Sequence, residues 1–209
     1  MNHIQLKVDR VSKEFNYRWI FRDVSFSLEL GHSHSITGKN GAGKSTLIKI
    51  IAQVLTPTKG LVDYHNNGKK ISKENVKHII GLVSPYLQLY DEFTAVENIR
   101  FLSEIRTGGK EDAKWVDGLF KRFELIERKD DLVRTYSSGM KQRLKYIFAL
   151  MHHPKILLLD EPTSNLDESG VSIVKEIVQE QKEQGILIIA TNDIQESQWC
   201  ESKIGRAHV

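Results

Sequence analysis

The sequence predicts an α/β fold: a mostly parallel sheet, an antiparallel β part near the N-terminus and an inserted α-helical subdomain. From residue 33 to residue 190, short apolar strands alternate with amphipathic helices, the pattern of a parallel sheet covered on both faces. Before that region, Ile4, Leu6 and Val8 alternate with polar residues, as does the stretch 24–30, which indicates half-buried strands. Between residues 94 and 136 the pattern becomes purely helical. These three observations set the expected architecture.

Composition limits the class of protein. The chain has 209 residues, 40% of them apolar and 27% charged, which is ordinary for a globular domain. A net charge of +3 does not call for a nucleic-acid partner, so none is expected. The single cysteine, Cys200, cannot form an internal disulfide, which suits a reducing cytosol. No apolar run approaches the roughly 20 residues that span a bilayer, so we expect a cytoplasmic protein that reaches a membrane only through a partner.

A glycine-rich loop carries the strongest signal. Residues 38–46 read GKNGAGKST and match G-x-x-x-x-G-K-S between a strand at 33–37 and an apolar helix. Such a loop turns successive N–H groups towards a phosphate at a helix N-terminus. Lys44 is expected to reach the β- and γ-phosphates, and the Ser45 hydroxyl to bind Mg²⁺. The predicted nucleotide-binding residues here are Gly38, Asn40, Gly41, Ala42, Gly43, Lys44, Ser45 and Thr46.

Two carboxylates supply the other half of a nucleotide-hydrolysing site. The apolar strand 156–159 runs directly into Asp160 and Glu161. Ligands of open α/β sheets bind at the carboxyl ends of the strands, so both side chains should emerge beside the glycine-rich loop. We expect Asp160 to hold Mg²⁺, directly or through water, and Glu161 to polarise the attacking water.

The inserted helices are expected to be packing elements. Val96, Ile99, Leu102 and Ile105 lie three residues apart, and a second stripe carries Trp115, Leu119 and Phe123. Both stripes are predicted to face the core rather than a cofactor.

Aromatic and histidine residues give weaker signals. Phe15 is the expected stacking partner for an adenine ring, with Tyr17 or Trp19 as substitutes, because a base offers a flat π-surface. The alternative is that these rings belong to the core or its rim. His32 and His34 alternate like a metal pair, but no Cys or further His follows at ligand spacing, so no metal site is expected there.

Taken together, the motifs resemble those of the ATP-binding cassette (ABC) ATPases, which have a P-loop nucleotidase core, over nearly the whole chain. GKNGAGKST resembles their Walker A motif, ILLLDEP their Walker B motif, YSSGMKQRL their signature motif, and residues 164–167 their D-loop. The resemblance implies a dimer, of two copies or of paired cassettes, in which ATP lies between one subunit's Walker A loop and the other's signature motif. Ser137, Ser138 and Gly139 would then contact the γ-phosphate of the partner's ATP.

Three departures from the family pattern matter. In the signature motif, Tyr136, Ser138 and Met140 replace Leu, Gly and Gln, which is similar to exporter-type cassettes. The family's Q-loop glutamine falls at Pro85, and Asn192 stands where the switch histidine is expected. Asparagine can hydrogen-bond a phosphate but cannot carry an imidazole's charge. Asn192 is therefore expected to act beside Lys44 and Glu161, with turnover more affected than binding.

The resemblance favours the ATPase subunit of a bacterial-type exporter, peripheral on the inner face of the cell membrane. A separate transmembrane permease would dock on the helical subdomain, with residues 85–93 at its coupling helix. One alternative is a soluble cassette of translation or DNA maintenance, although those usually carry two cassettes or a long coiled coil. Another is a non-hydrolysing module that dimerises on ATP, motivated by Pro85 and Asn192.

Residues 1–203 are expected to form a single domain, with the helical subdomain at about 94–136. The tail 204–209, IGRAHV, is expected to be non-native, because its codons can be read as a common sequencing-adapter oligonucleotide (ATC GGA AGA GCA CAC GTC).

Overall fold

Two β-sheets organise the chain in the computed structural model, which describes residues 3–109 and 112–204. The antiparallel sheet has the order β2-β1-β4-β5 and contains β1 (Ile4–Phe15), β2 (Arg18–Glu29), β4 (Lys59–Asn66) and β5 (Lys69–Lys70). The parallel sheet has the order β6-β7-β8-β3-β9 and contains β3 (Ser33–Thr37), β6 (Ile80–Val83), β7 (Ile156–Asp160), β8 (Ile186–Thr191) and β9 (Ser202–Ile204). The predicted α/β fold class, with an N-terminal antiparallel part, is confirmed.

Helices cover the parallel sheet and form the insertion. They are α1 (Lys44–Ile51), α2 (Lys73–Val76), α3 (Ala95–Thr107), α4 (Ala113–Arg122), α5 (Ser138–Leu150), α6 (Glu168–Gln184) and α7 (Ile194–Ser197). Two 3₁₀ turns, Ile126–Arg128 and Val133–Thr135, lead from α4 to α5. Within the described residues, no helix is both long enough and apolar enough to cross a bilayer.

Strands β7 and β8 of the parallel sheet are buried on both faces, which explains their nearly unbroken apolar sequence. Successive side chains point to opposite faces, so β8 divides between two cores. Leu187 and Ile189 pack with α3, α4, α5 and α6, whereas Ile186 and Ile188 pack with α1 and the antiparallel sheet. The parallel sheet is thus held between two apolar layers, which makes its carboxyl edge a rigid platform.

The structure of the insertion differs in part from the prediction that its first apolar stripe faces the core. Helix α3 begins with a capping box in which Thr94 and Glu97 exchange hydrogen bonds, and Ile99 is buried as predicted. Ile105, in contrast, is 61% exposed, and Phe101 on the same helix is 39% exposed. The prediction that the whole first stripe faces the core was therefore wrong, because the core contacts only the inner side of α3.

In the second stripe Leu119 and Phe123 are fully buried, and Trp115 donates its indole N–H to the Leu150 carbonyl at 3.0 Å. Helix α4 is thereby fixed against α5, and the prediction of a packing role is confirmed for this stripe.

The C-terminal strand includes the first residue of the expected tail. Ile204 is 6% exposed and pairs with Ile36 of β3. The rest of that tail, residues 205–209, lies outside the described residues, so its non-native origin stays a prediction.

A histidine that follows α5, His152, makes the stability of the fold depend on pH. The His152 ring lies 2.9 Å from the Ile80 carbonyl oxygen through Nε2. Burial, together with the nearby charge of Arg106, lowers the pKa of His152 to about 4 from 6.5. Between pH 4 and pH 6.5 the unfolded chain therefore binds more protons at His152 than the folded chain does. The stability that neutral His152 contributes to the fold is complete above pH 6.5 and is lost as the pH falls towards 4.

We expect His152→Gln to flatten this dependence, which accounts for up to about 3 kcal/mol of unfolding free energy in the wild type. Urea unfolding at several pH values measures it, and His32→Gln, at an exposed histidine, is the control. An unchanged slope in His152→Gln would contradict the assignment.

Candidate functional site

Four loops meet at the carboxyl edge of the parallel sheet. Strands β6, β7, β8 and β3 are consecutive neighbours, and all run parallel, so the segments that follow them leave the sheet at one edge. They form a cleft of about 500 Å³. Its lining residues are Ile20, Asn40, Gly41, Gly43, Lys44, Ser45, Thr46, Pro85, Tyr86, Glu161, Ser164 and Asn192.

The glycine-rich loop curls around its own lysine. Lys44 is 5% exposed, and its ammonium donates to the Gly38 carbonyl at 2.9 Å and the Lys39 carbonyl at 3.3 Å. Gly43 has a φ of +96°, and a Cβ there would lie 2.5 Å from Cγ2 of Ile20. The position therefore needs glycine on both conformational and steric grounds. Phosphate binding by this loop stays a prediction.

The Asp160 carboxylate is held between two hydroxyls. Ser45 donates to Oδ1 at 2.9 Å, and Ser84 donates to Oδ2 at 3.2 Å. A hydroxyl and a carboxylate at this spacing are the hard oxygen donors that Mg²⁺ prefers, alongside nucleotide phosphates. Ser45 and Asp160, predicted from motifs 115 residues apart, are thus brought together and fit a magnesium ion.

Burial puts the two acidic groups under electrostatic strain. Desolvation raises the pKa of Asp160, although the hydroxyl hydrogen bonds oppose it. Desolvation also raises the pKa of Glu161, and the charge of Lys44, whose Nζ lies 3.8 Å from Oε1, opposes that rise. A metal cation in the cleft would favour the ionised form of both carboxylates.

Glu161 and Asn192 follow the neighbouring strands β7 and β8, and both line the cleft. Glu161 adopts a left-handed backbone (φ +51°), and its N–H donates to the Ala190 carbonyl at 2.8 Å. Asn192 donates through Nδ2 to the Asn40 side-chain oxygen at 3.0 Å. The residue at the switch position is therefore already tied to the glycine-rich loop.

The signature motif lies elsewhere. Ser137 caps α5 by accepting from the Met140 N–H at 3.2 Å, and Ser137, Ser138 and Gly139 line a second hollow of about 500 Å³. A Cβ on Gly139 would lie 2.9 Å from the Asn165 carbonyl oxygen, so glycine also suits the packing there. None of these three residues lines the first cleft.

A buried arginine joins the second hollow to the segment that follows Glu161. Arg143 is 7% exposed and donates to Asp167 at 2.7 Å and to the Phe123 carbonyl at 3.1 Å. Asp167 in turn caps α6 by accepting from the Gly170 N–H at 2.9 Å. The signature helix and the D-loop therefore form one connected surface.

Phe15, the predicted adenine-stacking residue, does not line the first cleft. Phe15 ends β1, is 44% exposed, and lies beneath the Lys13 ammonium, 4.7 Å from its ring centroid. Tyr17 is 98% exposed at the turn into β2, and neither ring lines the first cleft. Ile20 does line it, and the sequence had given no reason to single out this residue. Phe15 stays a prediction.

Two further residues escaped the sequence reasoning. Ser84 holds Asp160, and Glu196, which is 4% exposed, accepts hydrogen bonds from the hydroxyls of Thr163 and Thr191. Glu196 thereby ties the segment after β7 to the segment after β8. Within residues 3–109 and 112–204, no group of three or more His, Cys, Asp or Glu side chains is placed to hold a metal ion. The ring of His34 contacts Ser202 and Phe26.

Fold and cleft define a P-loop nucleotide-binding protein. The sequence model of the ABC transporter family matches residues 21–164. The ABC transporter ATP-binding protein NatA of Bacillus subtilis is 34% identical, over 88% of this chain and 76% of its own length. The linearmycin resistance ATP-binding protein LnrL of the same organism is 34% identical. That match covers 91% of this chain and 62% of the length of LnrL.

A solved structure described as the ATP-binding subunit of an ABC transporter superposes with a TM-score of 0.84 at 26% identity. The match covers 96% of this chain and 85% of the other. The chain belongs to the ABC transporter family. The resemblance inferred from its motifs is confirmed.

We expect Lys44→Met to remove ATP binding, because the ammonium is the cation that the loop presents to the phosphates. ATP at 100 times its Kd should stabilise the wild type by about 2.7 kcal/mol and leave Lys44→Met unchanged. Thermal unfolding with and without ATP measures the difference. Lys39→Met is the matched control, since this exposed side chain lies on the same loop. A full ATP-induced shift in Lys44→Met would contradict the assignment.

Proposed function

We propose that this chain is the ATP-binding and ATP-hydrolysing subunit of an ABC exporter, and that it powers a separate membrane permease through ATP-driven closure of a dimer. One observation carries the proposal: the phosphate loop and Glu161 line one cleft, with buried Asp160 hydrogen-bonded to Ser45 of that loop, whereas the signature residues line another. Each chain therefore presents halves of two different nucleotide sites, and a head-to-tail partner would complete both.

The second hollow suits the phosphate end of a partner's ATP. Ser137 and Ser138 are exposed there, at the N-terminus of a helix of 13 residues. The free N–H groups and partial positive charge at such an end favour an anion. ATP bound in the first cleft of one subunit would thus be gripped from its far side by α5 of the other.

Within the first cleft, each residue has a separate task. Lys44 and the loop N–H groups would bind and orient the phosphates, and Ser45 and Asp160 would hold Mg²⁺. The ion would supply charge neutralisation at the β- and γ-phosphates. Glu161 would accept a hydrogen bond from the attacking water and align it, while Asn192 would donate to the γ-phosphate from the switch position.

A second candidate, an ATP-gated clamp that does not hydrolyse, draws on Pro85 and Asn192. Neither residue can accept or carry a proton near neutral pH. Retention of Glu161 beside Lys44 favours hydrolysis, because the general base is the group whose loss most directly abolishes turnover.

Hydrolysis measured against protein concentration separates the two candidates. We expect the Mg-ATP rate to rise faster than linearly with concentration, because a dimer is the active species, and Glu161→Gln to abolish turnover while retaining ATP binding. If the rate never exceeds that of the Glu161→Gln control, although ATP-dependent dimers form and persist with Mg²⁺, the clamp is supported and hydrolysis is contradicted.

An aromatic cluster where the chain enters the insertion, formed by Tyr90, Phe93 and Phe101, supports a membrane partner. The ring centroids lie 5.1–5.8 Å apart, and Tyr90 and Phe101 are 47% and 39% exposed. Buried Asn98 fixes the loop by accepting from the Tyr90 N–H at 2.8 Å and donating to its carbonyl at 2.9 Å. A preformed apolar surface of this kind suits an apolar segment of a partner protein. Docking there would place the chain on the cytoplasmic face of the membrane.

We expect Phe101→Asp to release the protein from the membrane fraction of its host, because a charge would replace an apolar contact. Val54→Asp is the control, since Val54 is 68% exposed outside the insertion. Sedimentation of tagged variants measures membrane association. A wild type that stays wholly in the supernatant would argue for a soluble cassette, and equal release of both variants would contradict the docking surface.

A further inference from the structure

The segment after β6 places a buried hydroxyl beside the predicted metal ligand. Ser84 is 3% exposed and directly precedes Pro85, the residue at the family's glutamine position. The pyrrolidine of Pro85 has no polar side-chain atom to offer the cleft. Ser84 is therefore the polar side chain that this turn directs to Asp160.

The hydrogen bonds of Ser84 fix the direction of its proton. Its Oγ accepts from the Tyr86 N–H at 3.4 Å and donates to Oδ2 of Asp160 at 3.2 Å. The other carboxylate oxygen, Oδ1, faces the Ser45 hydroxyl at 2.9 Å. Adjacent oxygens around an octahedral Mg²⁺ with bonds of 2.0–2.1 Å lie about 2.9 Å apart. Ser84 thus holds one oxygen of Asp160 so that the other keeps a spacing suited to the ion.

A lysine on the signature helix holds Ser84 in turn. Lys145 donates to the Ser84 carbonyl at 3.3 Å and to the Pro85 carbonyl at 3.2 Å. The side chain is half-buried, and this burial lowers the pKa of Lys145. Lys145 lies two helical turns after Ser138, about 10 Å along the helix axis. One chain of contacts therefore runs from α5 through Lys145 and Ser84 to Asp160.

We propose that Ser84 and Lys145 are positioning residues for the nucleotide-bound metal: Ser84 orients Asp160, and Lys145 fixes Ser84 from the signature helix. The inference rests on the proposed function, since it presumes a metal–nucleotide complex in the first cleft. Hydrogen bonds to metal-ligating carboxylates typically change metal affinity 10–100-fold. Through α5, the metal site of one nucleotide is tied to the helix that grips the partner's nucleotide.

The test compares nucleotide binding with and without metal. The non-hydrolysable analogue AMP-PNP is titrated into the full chain with Mn²⁺ and again with EDTA, and the electron paramagnetic resonance spectrum of bound Mn²⁺ reports its coordination. We expect Mn²⁺ to increase the affinity for AMP-PNP about 10–100-fold less in Ser84→Ala than in the wild type, and the spectrum of bound Mn²⁺ to change. The affinity for AMP-PNP in EDTA should be unchanged. Ser35→Ala is the matched control, because it removes a fully buried hydroxyl from strand β3 of the same sheet.

The role of Lys145 is tested by coupling. Lys145→Met keeps most of the apolar stem and removes the ammonium, and we expect a smaller loss of the Mn²⁺-dependent gain than in Ser84→Ala. The double variant should be no worse than Ser84→Ala, because both changes act through one hydrogen bond to Asp160. Additive losses would overturn the role of Lys145.

The possible failures are distinguishable. If the wild type gains no affinity from Mn²⁺, the proposed metal–nucleotide function fails. If the wild type gains affinity and Ser84→Ala keeps that gain to within about twofold, or loses affinity equally in EDTA, the positioning role of Ser84 is overturned.

Discussion

The rest of the molecule depends on the parallel pairing of β6, β7, β8 and β3. This pairing alone brings the glycine-rich loop, Asp160 and Asn192 to one edge from three distant parts of the sequence. Two apolar layers bury the strands and fix their register, since a slip by one residue would turn each core side chain to the other face. The short distances in the cleft, such as 2.9 Å between Ser45 and Asp160, follow from that register.

The cleft is built for charges that the protein itself does not provide. Burial raises the pKa of both Asp160 and Glu161, and Lys44 offsets this only in part. Such an arrangement costs stability in the free protein and favours a cation and phosphates as ligands. The signature helix, by contrast, leaves its N-terminus exposed. Both features fit the proposal that a nucleotide and a partner subunit bind together.

The sequence predicted what depends on local pattern. Lys44, Ser45, Asp160 and the boundaries of β3 could be read from motif spacing and apolar runs, because each of these signals is confined to a few neighbouring residues. The roles of Ser84 and Glu196 could not be read from the sequence. Ser84 contacts a residue 76 positions away in the chain, and Glu196 contacts one 33 positions away. The exposure of Ile105 also escaped, since a period of three marks a helix face but not how far the core reaches along it.

Complementation between two defective copies tests the divided site most directly. Lys44→Met spoils the phosphate loop and Gly139→Asp the signature hollow, so neither variant alone should hydrolyse ATP. An equimolar mixture should recover roughly a quarter of the wild-type rate, because half of the dimers are mixed and each of these holds one intact site. If the mixture stays inactive although mixed dimers form, or if Gly139→Asp alone is active, the divided site is contradicted.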